Sequence, residues 1–159
     1  MTKLPEGDSV DFVVKFSSRN QKPGKKKIIL PILVKGTGCI NIILTANICI
    51  PDIDVSCDAI DFESLYLGCS KKIFFRIQNI TPILANWSVK NENSGRDVGK
   101  FIFQPSEGVL RSGKKQIISV EFIPSEAKKH TLESTIKIEQ NAKSKVLVLR
   151  SSFVEFTLR

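Results

Sequence analysis

The sequence is poor in the residues that do chemistry. Its 159 residues include one His, one Trp and one Tyr. A single imidazole leaves little scope for general acid–base catalysis or for a histidine-ligated metal. Cys occurs four times, at positions 39, 49, 57 and 69, never as a CxxC pair and never beside His. That spacing argues against zinc, and the reading is four free, mostly buried thiols. Two disulfides are the arithmetic alternative. The longest apolar run is about half of a membrane-spanning helix, so membrane insertion is not expected. The N-terminus, MTKLPEGDSVD, has no apolar leader segment, which suggests a cytoplasmic protein or an excised fragment. No G-x-S-x-G, Walker A or G-x-G-x-x-G occurs. His130 sits in EAKKHTLE beside two Lys and reads as a surface residue. Asp52/Asp54 and Asp58/Asp61 read as solvated loop carboxylates. The sequons at Asn79 and Asn86 lie in a poor context for glycans. The expectation is therefore no enzyme, no cofactor and no metal.

What is present is β pattern and positive charge. Hydrophobic residues make up 42% and charged residues 25%, which is globular composition. The apolar period is close to two along most of the chain. Strands are expected at Val10–Phe16, Lys27–Lys35, Cys39–Ile50, Ile53–Ser56, Ala59–Phe62, Lys72–Ile80, Ile83–Lys90, Lys100–Gln104, Lys115–Ile123, Thr131–Gln140 and Lys143–Leu158. Pro31 marks an edge or a bulge, GTG (36–38) a hairpin turn, and 91–99 a polar loop. Short strands at regular spacing, separated by Gly, Pro, Asn and Ser, point to a β-sandwich.

An internal repeat divides the chain. Gly7–Ile48 aligns without gaps to Gly113–Val154, a shift of 106, with Phe16 on Phe122 and CINIIL (39–44) on KVLVLR (145–150). Residues 1–50 then read as the last strands of one sandwich unit, and 51–159 as a complete second unit. One larger sandwich of all 159 residues is the alternative.

The second unit has an ordered set of landmarks. A Phe-containing strand ends in Asn (Phe75, Asn79). A turn with Pro82 follows, then an aromatic on the next strand, Trp87. After these come F-x-x-x-P (Phe101, Pro105), G-x-L-x-x-G (Gly108, Leu110, Gly113) and a strand ending F-x-P (Phe122, Pro124). This order, over about residues 52–150, resembles the ASH domain of the MSP/PapD-like family. The resemblance implies an all-β, immunoglobulin-like antiparallel β-sandwich without catalytic activity. Tandem ASH units resemble those of Hydin-like axonemal scaffolds, and centrosomal ASH proteins come second. The implied setting is the cytoskeleton of the cilium, at the central pair. The implied partners are axonemal or centrosomal proteins, microtubules and neighbouring units. Phe75, Trp87, Phe103 and Phe122 are sized to fill the core between two sheets. Pro105 and Pro124 fit strand ends, Gly108 and Gly113 bracket a turn, and Asn79 is placed to bond loop backbone.

The Lys residues cluster. Residues 1–50 hold 8 Lys/Arg against 3 Asp/Glu, a net of +5 out of +8 for the chain. Lys22, Lys25, Lys26 and Lys27 form QKPGKKK, and pairs recur at Lys71–Lys72 and Lys114–Lys115. These are the candidate partner-binding residues, suited to acidic surfaces such as tubulin tails. An anion-binding module for phosphoinositide or nucleic acid is the alternative. Nucleic acid fits less well, because no aromatic residue is interleaved with the QKPGKKK cations.

Overall fold

The computed structural model describes residues 3–91 and 99–153. Among these the chain is all β, and it divides into two units, Met1–Ile48 and Cys49–Arg159.

The first unit contains one long hairpin. Strands β1 (Gly24–Val34) and β2 (Gly38–Ile48) pair antiparallel along their whole length, with Pro31 opposite Asn41. Pro31 is tolerated because β1 has a partner on one side only, so its missing N–H faces the free edge. The turn closes where GTG stands, with the Thr37 N–H donating to the Val34 carbonyl. Val10–Phe16 forms no strand, contrary to its alternating pattern. A strand requires a neighbour to bond, and the hairpin strands pair with each other.

The second unit is a sandwich of two sheets. Its strands are β3 (Ile53–Val55), β4 (Ala59–Leu65), β5 (Lys71–Asn79), β6 (Ala85–Asn91) and β7 (Gly99–Gln104). They continue with β8 (Glu107–Leu110), β9 (Lys115–Pro124), β10 (His130–Ile138) and β11 (Lys145–Phe153). One sheet has the order β3-β5-β9-β7, the other β4-β11-β10-β6-β8. All pairings are antiparallel except β4 with β11, which is parallel. The short strand β8, which overlaps the start of G-x-L-x-x-G, was not anticipated from sequence. Residues 92–98 of the expected polar loop and 154–158 of the expected last strand lie outside the described residues.

The alternating pattern explains the core. Phe75 and Ile77 of β5, Ile118, Val120 and Phe122 of β9, and Phe101 and Phe103 of β7 point inward from one sheet. Ile60 and Phe62, Trp87, Ile136 and Ile138, and Leu147 and Leu149 meet them from the other. Each such side chain contributes about 1.5–3 kcal/mol on burial. Phe101 stacks on Phe122 at 4.3 Å, and Phe62 tilts against both. Phe75 meets Phe103 edge-on at 6.4 Å.

Three landmark residues behave more specifically than their types suggest. Asn79 is fully buried, and its side chain makes four hydrogen bonds. Gly108 does not sit in a turn. It lies in β8 directly over Trp87, where a Cβ would stand 3.2 Å from the indole. Trp87 Nε1 beneath it has no hydrogen-bond partner among the described residues. Gly113 does occupy a left-handed turn, with φ of 72°. Pro82 is exposed in the β5–β6 turn, Pro124 ends β9, and Pro105 follows β7 after a cis peptide bond.

Candidate interaction surface

Strand alternation sends the remaining side chains of β5, β9 and β7 to the outer face of the four-stranded sheet. Phe74 is 64% exposed there and Ile117 58%. Ile123 and Ile102 add a second apolar pair on β9 and β7 of the same face. Cations surround it. Arg76 stands opposite Ile117, Lys72 opposite Glu121, Lys100 opposite Ile123, and Lys115 opposite Gln78. Glu121 is held by a hydrogen bond from Ser70 Oγ at 2.8 Å. The face thus carries two diagonal apolar pairs, Phe74 with Ile117 and Ile123 with Ile102, separated by Ser119 and Glu121 and interspersed with Lys and Arg side chains. That arrangement suits an acidic partner carrying apolar side chains.

Within the second unit, the Lys residues singled out from sequence do not form one site. Lys72 and Lys115 belong to this face, but at its two ends. They are separated by six strand steps, roughly 20 Å. Lys71 turns away and bridges Glu63 at 2.8 Å. Lys114 lies in the turn before β9, where its carbonyl accepts the Asn79 N–H. In the first unit, Lys25, Lys26 and Lys27 are not in a turn but open β1. Lys25 and Lys27 share one face of the hairpin and Lys26 takes the other. With Thr45, Ala46 and Asn47 they line an open groove of about 490 Å³, and Lys22 lies in the preceding loop.

The charge-based reading missed Phe74, Arg76, Lys100, Ile102, Ile117 and Ile123. Their signal was present. Phe74-Phe75, Ile117-Ile118, Phe122-Ile123 and Phe101-Ile102-Phe103 place apolar residues in both phases of a strand. A half-buried strand requires only one such phase.

His130 is not a surface residue. It is buried at the start of β10, its ring edge-on to Phe122 at 6.0 Å. Its Nε2 stands 3.2 Å from the Glu126 carbonyl. The contact is structural. Asp52 bridges Lys145 at 3.2 Å, and Asp61 accepts the Glu63 N–H. Glu126 is held below its ordinary value by the hydrogen bond and charge of Lys128. The four Cys are free thiols, with Cys39 and Cys69 exposed. They are less buried than expected. Asn79, at the first sequon, is fully buried, and Asn86, at the second, donates to Glu139.

Two packed sheets with Asn79, Pro82 and Trp87 at these places define an immunoglobulin-like sandwich of the ASH, MSP/PapD-like class. The same fold is seen in the ASH/PapD-like domain 7 of human CEP192. That structure covers 66% of this chain and 87% of its own length, at 15% identity and a TM-score of 0.57. The family model of the HYDIN/CFA65/VesB-like, Ig-like domain matches residues 51–151, and the chain belongs to that family. The human hydrocephalus-inducing protein homolog is 26% identical over 96% of this chain. The mouse hydrocephalus-inducing protein is 25% identical over the same share. The chain spans 3% of the length of each relative.

Proposed function

We propose that this chain is a non-catalytic protein-interaction module of a multi-unit ciliary scaffold. It works in the axoneme, at the central-pair apparatus, with the centrosome as the second setting. Membership of the HYDIN/CFA65/VesB-like family and the ASH landmarks support the setting. The outer face around Phe74 carries the interaction reading. Exposed Phe and Ile side chains interspersed with Lys72, Arg76, Lys100 and Lys115 suit an acidic axonemal protein surface, tubulin tails included. Such a module needs no catalytic group. Its task is to hold a fixed shape and present a face.

The test is co-sedimentation of the 159-residue chain with isolated axonemes. Binding is expected at low salt and is weakened by Phe74→Asp. Binding equally strong with Phe74→Asp, Arg76→Glu and wild type would sink the reading.

The Lys25–Lys27 groove favours a second reading, anion binding by the first unit. It requires a steep fall of affinity with salt toward an inositol phosphate or an oligonucleotide. A flat titration at low salt eliminates it.

A further inference from the structure

Among the described residues of its own unit, no strand packs on the apolar face of the hairpin β1–β2. Strand partners share a face, so Ile28, Leu30, Ile32, Ile40, Ile42 and Leu44 lie together. Ile28 is 51% exposed, Ile40 58% and Ile42 40%. Upstream, Phe12, Val14 and Phe16 are exposed as well, with no ladder around them. An isolated two-stranded hairpin is at best marginally stable in water.

The second unit shows what such a sequence becomes when covered. β1 begins at Gly24 and β10 at His130, which is the repeat shift of 106. The same shift carries Phe12, Val14 and Phe16 onto Ile118, Val120 and Phe122, the buried face of β9. It carries Ile28, Leu30 and Ile32 onto Ser134, Ile136 and Ile138, the buried face of β10. The hairpins differ. Leu30 pairs with Ile42, whereas Ile136 pairs with Lys145, so β2 follows β11 at a shift of 103. The ungapped overlay of CINIIL on KVLVLR is therefore three residues out. With the gap, Leu44 and Ala46 fall on the buried Leu147 and Leu149.

The same correspondence explains why Val10–Phe16 is no strand. β9 bonds β5 and β7, whereas β10 and β11 bond each other in the opposite sheet. The hairpin thus carries its own pairing partner, and the β9 equivalent carries none.

We propose that Met1–Ile48 is the closing part of a further sandwich. Val10–Phe16 completes one sheet and β1–β2 the other. The occupant of the apolar face is an upstream segment patterned like Ile53–Leu110, the strands that cover this face in the second unit. A second copy of this chain fits less well, because hairpin-to-hairpin packing leaves Val10–Phe16 without β5- and β7-like neighbours. The relatives, of which this chain spans 3%, are long enough to supply such a segment. The proposal is independent of what binds the Phe74 face.

Hydrogen exchange read by mass spectrometry tests it. The 159-residue chain is compared with the same chain extended upstream by about a hundred residues of its parent sequence. Amides of 10–16 exchange at coil rates in the shorter chain and slow by at least about a hundred-fold in the longer one. Phe12→Asp removes that protection and Val13→Asp, on the outer phase, retains it. Protected amides of β9 report that the second unit is folded throughout. Exchange of 10–16 unchanged by the extension overturns the proposal, as does slow exchange in the shorter chain as a monomer. A dimer of the shorter chain that Leu30→Lys returns to monomer also overturns it, and assigns the face to a second copy.

Discussion

Asn79 Nδ2 donates to the carbonyl of Leu110 at 2.9 Å, tying the end of β5 in one sheet to the end of β8 in the other. The same amide donates to the Ile83 carbonyl at 2.7 Å. Its Oδ1 accepts both the N–H and the hydroxyl of Thr81. One buried side chain therefore closes the β5–β6 turn and staples the sheets. Asn79→Ala leaves buried carbonyls without donors, each costing about 1–3 kcal/mol. The expected loss is about 2–4 kcal/mol, read as a lower urea midpoint by the fluorescence of Trp87. Asn79→Asp fails as badly, because a carboxylate cannot donate to Leu110 and Ile83.

Two glycines separate backbone conformation from crowding. Gly113 has φ of 72° with nothing within 4 Å of an added Cβ. Gly113→Ala is expected to cost about 1–2 kcal/mol, from conformation alone. Gly99 has φ of 135°, and a Cβ there would meet the Ile123 carbonyl and the Phe122 ring at 2.7 Å. Gly99→Ala adds overpacking of about 1–3 kcal/mol to the backbone strain. Thermal unfolding should rank Gly99→Ala well below Gly113→Ala. An equal ranking refutes the close approach of β7 to Phe122.

Sequence pattern was sufficient for the sandwich because Phe75, Trp87, Phe103 and Phe122 each occupy the inward phase of a strand. It was insufficient wherever neighbours decide. Val10–Phe16 has the period of a strand but no strand to pair with among the described residues. His130 has the charged sequence neighbours of a surface residue, yet strand phase turns it onto Phe122. Lys71–Lys72 and Lys114–Lys115 look alike as pairs. Antiparallel register sends them to opposite ends of β5–β9, and alternation separates the members of the first pair. The Phe74 face was legible only through doubled apolar residues, which counting charges overlooks.

Cys57 gives a pH-dependent signature. Burial pushes its thiol above the ordinary value, with Ser56 opposing and Asp58 adding. The folded state therefore favours the neutral thiol. Its contribution to stability is complete below the unfolded thiol's pKa and is lost as pH rises through the folded value. Stability is expected to decline in the alkaline range above about pH 9, and Cys57→Ser should flatten that decline. At pH 8, alkylation followed by peptide mapping should label the exposed Cys39 and Cys69 before Cys57.

The face around Phe74 should separate binding from stability. Phe74 and Arg76 project away from the core, so Phe74→Asp and Arg76→Glu should change the unfolding free energy, read by urea titration, by no more than about 0.5 kcal/mol. Their effect on an acidic partner should be large. Phe74→Asp removes the apolar contact and places a negative charge among groups meant to meet acid. Arg76→Glu reverses one of the surrounding cations and should act chiefly on association rate and salt dependence. Axoneme co-sedimentation is expected to fall at least about tenfold for the double variant, or about 1.4 kcal/mol. Lys71→Ala, which breaks only an exposed bridge to Glu63, should leave it unchanged. A loss with Lys71→Ala as large as with Phe74→Asp would mean that diffuse charge, and not this face, holds the partner.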